Sequence, residues 1–251
     1  MTTKQTEFSA IEGAGSRKVL VLHGWALDST VWLGSRWCAN TRDFTWAYFD
    51  FPAYGVNRAL PPADGVDGMA QAALAAVDRL GWKRFAVLGH SMGGVTALRI
   101  ATLRPQAVSA VAAVTPVSPG GTPLDADTFA AFDAAWADPA AAIKGHLSPQ
   151  MRHEDLARIV DRNRAAMDQP TWTAYLRNWT SPDFHAALAD YPGPATLFYG
   201  RTDPFVTADY LQSTVSALPQ GRLLEVPGGH YPMVEAPSES QAAFEAALSS
   251  G

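Results

Sequence analysis

Hydrophobic positions along the chain follow two periods. Val19–Leu22, Trp46–Phe49, Phe85–Leu88 and Ser109–Thr115 are short, nearly continuous apolar runs. Runs of this length without polar alternation predict strands buried on both faces. Between the second and third runs, Met69, Ala73, Val77 and Leu80 recur near the 3.6-residue spacing of a helix. Met92 to Leu103 is a second helical stretch, stopping before Pro105. Strands alternating with amphipathic helices predict a parallel sheet covered on both faces, the α/β class.

The pattern changes after Pro116. Ser118 to Pro123 is rich in Gly and Pro, and residues 124–188 carry only helical signals. Phe129, Phe132 and Trp136 share one face, Leu156, Ile159, Val160 and Met167 a second, and Trp172, Tyr175, Leu176 and Trp179 a third. Tyr191-Pro192-Gly193-Pro194 closes this section. Two strand-like runs follow, Ala195–Tyr199 and Arg222–Val226, and Ser238–Leu248 reads as a terminal helix. The pattern predicts one α/β domain built from 1–117 and 190–251, interrupted by an all-helical insertion at 118–189.

Composition narrows the function classes. The chain has 251 residues, 47% hydrophobic and 17% charged, enough to bury a large core. A net charge of −5 lacks the basic excess of a nucleic-acid binder. The single cysteine, Cys38, excludes an intrachain disulfide and two-cysteine redox chemistry. The polar start of the chain has no signal-peptide pattern, and no run approaches the roughly 20 apolar residues that span a bilayer. A cytoplasmic protein without membrane contact is the expectation. Eight Trp stand out, four of them between Trp25 and Trp46 and three, Trp136, Trp172 and Trp179, in the insertion.

The most specific motif is Gly89-His90-Ser91-Met92-Gly93-Gly94, a G-x-S-x-G sequence with a strand before it and a helix after it. A serine on so sharp a turn projects its hydroxyl clear of its neighbours, and the flanking glycines allow the chain to pack closely. The following helix adds N–H groups and a partial positive charge. Ser91 is therefore a candidate nucleophile and requires a base and an orienting carboxylate. Of six histidines, His230 is the candidate base, in Pro227-Gly228-Gly229-His230-Tyr231-Pro232 after the last strand-like run. His23 and His90 flank glycines and read as loop-shaping, whereas His146, His153 and His185 lie in the insertion. Asp203, directly after the run Ala195–Tyr199, is the candidate acid, with Asp209 next. Either aspartate taken alone is more often a helix cap than a catalytic group. The order Ser…Asp…His, with each partner after a strand, favours catalysis. The backbone N–H groups of Met92 and Trp25 are candidate oxyanion donors, Trp25 following the strand through His23-Gly24.

The strand–His23-Gly24-Trp25 loop, Asp50-Phe51-Pro52-Ala53-Tyr54-Gly55, the serine motif, Gly200-Arg201-Thr202-Asp203-Pro204 and Gly228-Gly229-His230 together resemble the α/β-hydrolase superfamily over nearly the whole chain. They most resemble its compact bacterial carboxylesterases, and are similar to the pimeloyl-carrier-protein methyl ester esterases. The resemblance implies an eight-stranded, mostly parallel sheet with a helical lid after the sixth strand, and Ser91, His230 and Asp203 as nucleophile, base and acid. The sequence itself carries no metal-site pattern, no P-loop and no dinucleotide fingerprint, so no metal and no cofactor are expected. Two positions depart from the family pattern. Ala53 stands where Asp-x-Pro-Gly-x-Gly has its first Gly, and Ala26 where His-Gly-x-Gly has its second.

The expected function is hydrolysis of a small, largely apolar ester, thioester or lactone through an acyl-enzyme on Ser91. Trp25, Trp136, Trp172, Trp179, Phe205 and Tyr231 are candidate substrate contacts, although apolar residues at helical spacing also serve as packing. Trp32, Trp37, Trp46 and Trp82 are expected to pack on or beside the sheet. Arg152, Arg158, Arg162, Arg164 and Arg177 would attract an acidic substrate or acyl carrier protein, but Glu154, Asp155, Asp161 and Asp168 are interleaved and favour a self-paired face. The expected partner is a small molecule, free or carrier-borne, in a monomer or homodimer. Two rival classes keep the fold. One changes the chemistry, to carbon–carbon bond hydrolysis, cofactor-free oxygenation, perhydrolysis or a lyase or cyclase reaction. The other is a non-catalytic binder, which usually lacks a triad member.

Overall fold

The apolar runs form the centre of a seven-stranded sheet. The computed structural model describes residues 5–250. Its strands are β1 (Phe8–Glu12), β2 (Arg17–Leu22), β3 (Phe44–Phe49), β4 (Phe85–His90), β5 (Val108–Val114), β6 (Pro194–Gly200) and β7 (Gln220–Val226). They lie in the order β1-β3-β2-β4-β5-β6-β7. Only β1 is antiparallel to its neighbour; the other adjacent pairs are parallel. Every residue of β3 and β4 is buried, the condition that removes polar alternation from the sequence.

Successive side chains along each strand enter different cores. Leu20, Leu22, Val87, Val111 and Leu197 join one cluster, and Val19, Val21, Leu88, Ala112 and Phe198 join the other. Helices α2 (Gly65–Arg79) and α3 (Met92–Leu103) cover the first face. The second is covered partly by α10 (Pro237–Leu248), through Phe244, Ala247 and Leu248. The remaining helices of the sheet domain are α1 (Leu33–Cys38), α8 (Ala208–Ala217) and α9 (Pro232–Glu235).

Four helices lie between β5 and β6: α4 (Ala126–Ala134), α5 (Pro139–His146), α6 (His153–Ala166) and α7 (Gln169–Thr180). They divide between the two cores. Trp172, Tyr175, Leu176 and Trp179 of α7 are continuous with the α2–α3 side. Ile143, Leu156 and Ile159 of α5 and α6 are continuous with the α10 side.

Three expectations require correction. Seven strands, rather than eight, are present among the described residues, so the helical section follows the fifth of them, β5. Trp37 does not pack beside the sheet; it is 88% exposed, whereas Trp32 and Trp46 are buried. The self-paired face expected of the arginines of the helical section holds only in part. Arg152 and Arg158 share buried Asp155, but Arg162 reaches out of its own section to Asp28, in the turn after β2. The guanidinium of Arg164 lies over the ring of Trp136.

Candidate active site

Ser91 occupies the turn between β4 and α3 with φ 52° and ψ −114°. A non-glycine residue there costs on the order of 1–3 kcal/mol, which the surroundings must supply. They do so by close packing. A Cβ at Gly89 would stand 2.1 Å from the carbonyl oxygen of Gly93, and one at Gly93 would stand 2.3 Å from that of His23. The Ser91 N–H donates to Val114 O at 2.8 Å, fixing the turn to β5. The residue remains 8% exposed.

His230 and Asp203 converge on this hydroxyl from the loops after β7 and β6. His230 Nε2 lies 3.0 Å from Ser91 Oγ, and His230 Nδ1 lies 2.7 Å from Asp203 Oδ2. The other carboxylate oxygen, Oδ1, accepts the N–H groups of Phe205 (2.8 Å) and Val206 (3.0 Å). Asp203 is thus aimed by its own loop. Asp209 instead lies exposed in the first turn of α8.

The backbone of His230 is held on both sides. Its carbonyl accepts hydrogen bonds from His90 Nε2 at 2.9 Å and Thr115 Oγ1 at 3.1 Å. Its N–H donates to Ser148 Oγ at 2.8 Å and to Leu147 O at 3.2 Å. Ser148 Oγ donates in turn to Glu235 Oε1 at 2.9 Å, and the same oxygen accepts Gly229 N–H at 3.0 Å. Ser148 and Glu235 were not legible as site residues. Each acts on main chain far away in sequence, and neither belongs to a motif.

The two loop-shaping histidines are fully buried. Burial, reinforced by the neighbouring His230, holds His90 well below the ordinary value of 6.5. Burial also lowers His23, against the opposing pull of Asp50. Neutral His23 accepts Phe51 N–H at Nε2 and donates from Nδ1 to Gly24 O. This bond shapes the turn carrying Trp25. The close approach of Gly93 to His23 brings that turn against the start of α3. Among the described residues, neither the Trp25 nor the Met92 N–H donates to a protein acceptor.

A cavity of about 30 Å³ opens at Ser91, with Trp25, Phe132, Trp179, Phe205 and Tyr231 around it. The indole N–H of Trp179 is buried and has no partner among the described residues. Burial, and next the Asp203 charge, push the Tyr231 hydroxyl well above the ordinary phenol range, so it stays protonated. Trp172 lines an adjoining cavity instead, its indole N–H donating to Phe132 O at 3.1 Å. Trp136 lines neither cavity. Its ring packs against Trp172 at 5.7 Å and under Arg164. The Trp25 indole N–H donates to Trp172 O at 2.9 Å, joining the turn after β2 to α7. Among the described residues there is no cluster of three or more groups suited to a metal ion. No helix of the described residues is long and apolar enough to cross a membrane.

The sequence pattern of the alpha/beta hydrolase family matches residues 19–244. A pimeloyl-(acyl-carrier protein) methyl ester esterase from Nitrosomonas europaea is 31% identical, over 94% of this chain and 98% of its own. Among solved structures, a bromoperoxidase from Bacillus anthracis superimposes with a TM-score of 0.83 at 18% identity, covering 96% of this chain and 94% of that one. An enol-lactonase from Burkholderia xenovorans LB400 gives 0.82 at 16% identity, covering 96% and 95%. The two structures support the fold alone, since their identity is low. The family match runs from β2 into α10, and the chain belongs to the alpha/beta hydrolase family.

Proposed function

We propose that this protein is a serine-dependent hydrolase of small, largely apolar carboxylic esters, thioesters or lactones. The observation that carries the reading is the relay Ser91–His230–Asp203, with links of 3.0 and 2.7 Å, on a serine held at positive φ. His230 Nε2 accepts the Ser91 proton as Oγ attacks the substrate carbonyl. Nδ1–H donates to Asp203, which keeps the ring in the tautomer that leaves Nε2 free and stabilises the imidazolium as it forms. The N–H groups of Met92 and Trp25 receive the developing oxyanion, aided by the positive end of α3. His230 then returns the proton to the leaving group. Water, deprotonated by the same nitrogen, releases the acid and restores Ser91.

In this reading residues 118–189 form a lid over the serine. Trp25, Trp179, Phe205 and Tyr231 enclose the substrate, and the apolar lining favours a hydrocarbon acyl group. The relative named as a carrier-protein methyl ester esterase supports a carboxylic ester as the substrate class, free or carrier-borne. The test is a panel of nitrophenyl esters and lactones, with fluorophosphonate labelling followed by peptide mass mapping. Turnover of short esters and labelling at Ser91 are expected. Labelling without turnover of any ester or lactone would replace ester cleavage by other chemistry on the same serine. Neither labelling nor turnover would remove the nucleophile itself.

A further inference from the structure

The turn after β2 carries the Trp25 N–H, and its own main chain does little to hold it. Among the described residues, no backbone-to-backbone hydrogen bond reaches Gly24, Trp25, Ala26 or Leu27. Ala26 stands in the left-handed region at φ 64°, where a residue with a Cβ is strained. A strained turn persists only where its surroundings over-determine it. The sheet domain supplies two side-chain contacts. His23 Nδ1 donates to Gly24 O at 2.8 Å, and the Ala26 N–H reaches the Tyr54 hydroxyl only at 3.4 Å, beyond the usual length of such a bond.

The remaining ties come from the helical section. The Trp25 indole N–H donates to Trp172 O of α7 at 2.9 Å. Asn163, buried on α6, donates from Nδ2 to Ala26 O at 2.8 Å. Its neighbour Arg162 sets Nε (2.9 Å) and Nη2 (2.7 Å) on Oδ2 of Asp28, a buried carboxylate. Residues 25, 26 and 28 are thus each fixed by a residue 134 or more positions away. Packing alone does not require this arrangement. A leucine at 163 would occupy similar space, but only a donor satisfies Ala26 O. A charge-assisted pair of N–H groups on one buried oxygen is also a directional restraint, not merely a filler.

We infer that Asn163 and Arg162 are positioning residues for the oxyanion donor. Through Ala26 O and Asp28 they hold the turn so that the Trp25 N–H meets the same oxygen as the Met92 N–H. The helical section, besides covering the serine, then sets how well the developing charge is stabilised.

The inference rests on the ester-hydrolase reading above, and the test separates the two. Turnover of a short nitrophenyl ester is measured for Asn163→Leu, Arg162→Gln and Arg162→Lys, with each fold checked by its urea midpoint. Inhibition by an aryl trifluoromethyl ketone is the second readout. Ser91 Oγ adds to the ketone carbon as its proton passes to His230, and the carbonyl oxygen becomes an anion in the oxyanion site. In Asn163→Leu and Arg162→Gln, kcat should fall about tenfold or more with little change in KM. That is less than the roughly 10²–10³ of a lost donor, because the N–H is misaimed rather than removed. The ketone inhibition constant should rise by the same factor. Arg162→Lys keeps a cation opposite Asp28 and should retain most of the turnover. A merely structural role would lower the midpoint and leave kcat and ketone binding of the folded protein unchanged, and that result would overturn the inference. A fall in kcat without a matching loss of ketone affinity would overturn it as well. If Arg162→Gln fails to fold, its combination with Asp28→Asn leaves no stranded charge and takes its place. The unaltered protein distinguishes the failures. Its turnover of nitrophenyl acetate alongside unaffected variants removes the positioning role alone, and no turnover removes the hydrolase reading beneath it.

Discussion

Ala26 and Ala53 hold φ angles of 64° and 67°. These are the two positions where glycine was expected from the family pattern. The backbone has kept the left-handed turns, and alanine bears the strain, on the order of 1–2 kcal/mol for a residue with a Cβ. Glycine would relieve that strain but lose about 0.5–1 kcal/mol to unfolded-chain entropy. Ala53→Gly should therefore stabilise the fold by about 0.5–1 kcal/mol, read as a higher urea midpoint at unchanged slope. A lower midpoint would mean that the turn is not strained. At this scale Ser91, Asp203 and His230 were legible because each sits in a local motif directly after a strand. Ser148 was not, because a single polar residue beside a helix has no pattern. Its meaning comes from a partner more than 80 positions away, His230.

At the scale of elements, the central strands were legible because both faces are buried. β1 was missed for the opposite reason. It is a short edge strand, partly exposed along its length, and offers no continuous apolar run. The contacts of the helical section were equally hidden, since Arg162 found its carboxylate in the sheet domain rather than on its own helix. Ser148, just beyond α5, is the point where that section grips the loop of His230. Ser148→Ala removes the side-chain acceptor of the His230 N–H and one donor to Glu235. The imidazole should be aimed less well without loss of substrate contacts. On a short nitrophenyl ester, kcat should fall roughly tenfold while KM changes little, the size expected for one lost hydrogen bond. A rise in KM at unchanged kcat would assign Ser148 to substrate binding instead.

Across the whole molecule, two fully buried neutral histidines impose a pH dependence on stability. His23 and His90 are both held below 6.5 in the folded state, mainly by burial. Below about pH 6.5 the unfolded chain takes up protons that the folded chain refuses. Stability is thus unaffected by these groups at higher pH and declines as pH falls through that value. Each contributes up to about 1.4 kcal/mol per pH unit. Urea unfolding should show a loss of at least about 1 kcal/mol between roughly pH 7.5 and 5.5, above the ordinary carboxylate range. A flat profile would mean that the two rings are protonated at little cost inside the fold. At this scale sequence order alone carried the α/β architecture, because parallel strands need long connections and the chain supplies helices there. Of the five residues around the cavity at Ser91, Trp25, Trp179, Phe205 and Tyr231 were already candidates from the sequence, whereas Phe132 was legible only as part of a helix face, because the walls come from positions spread over most of the chain.

The central claim is that Ser91 is the nucleophile, activated through His230. The most direct measurement is steady-state turnover of a short nitrophenyl ester by the unaltered protein and by Ser91→Ala, with folding checked by the urea midpoint. Removing a nucleophile that acts as a unit with its base lowers kcat by several orders of magnitude, about 10⁶ where the triad is fully engaged. A loss of at least about 10³ is predicted here, at a midpoint that marks an intact fold. Turnover by folded Ser91→Ala at the rate of the unaltered protein would contradict the account.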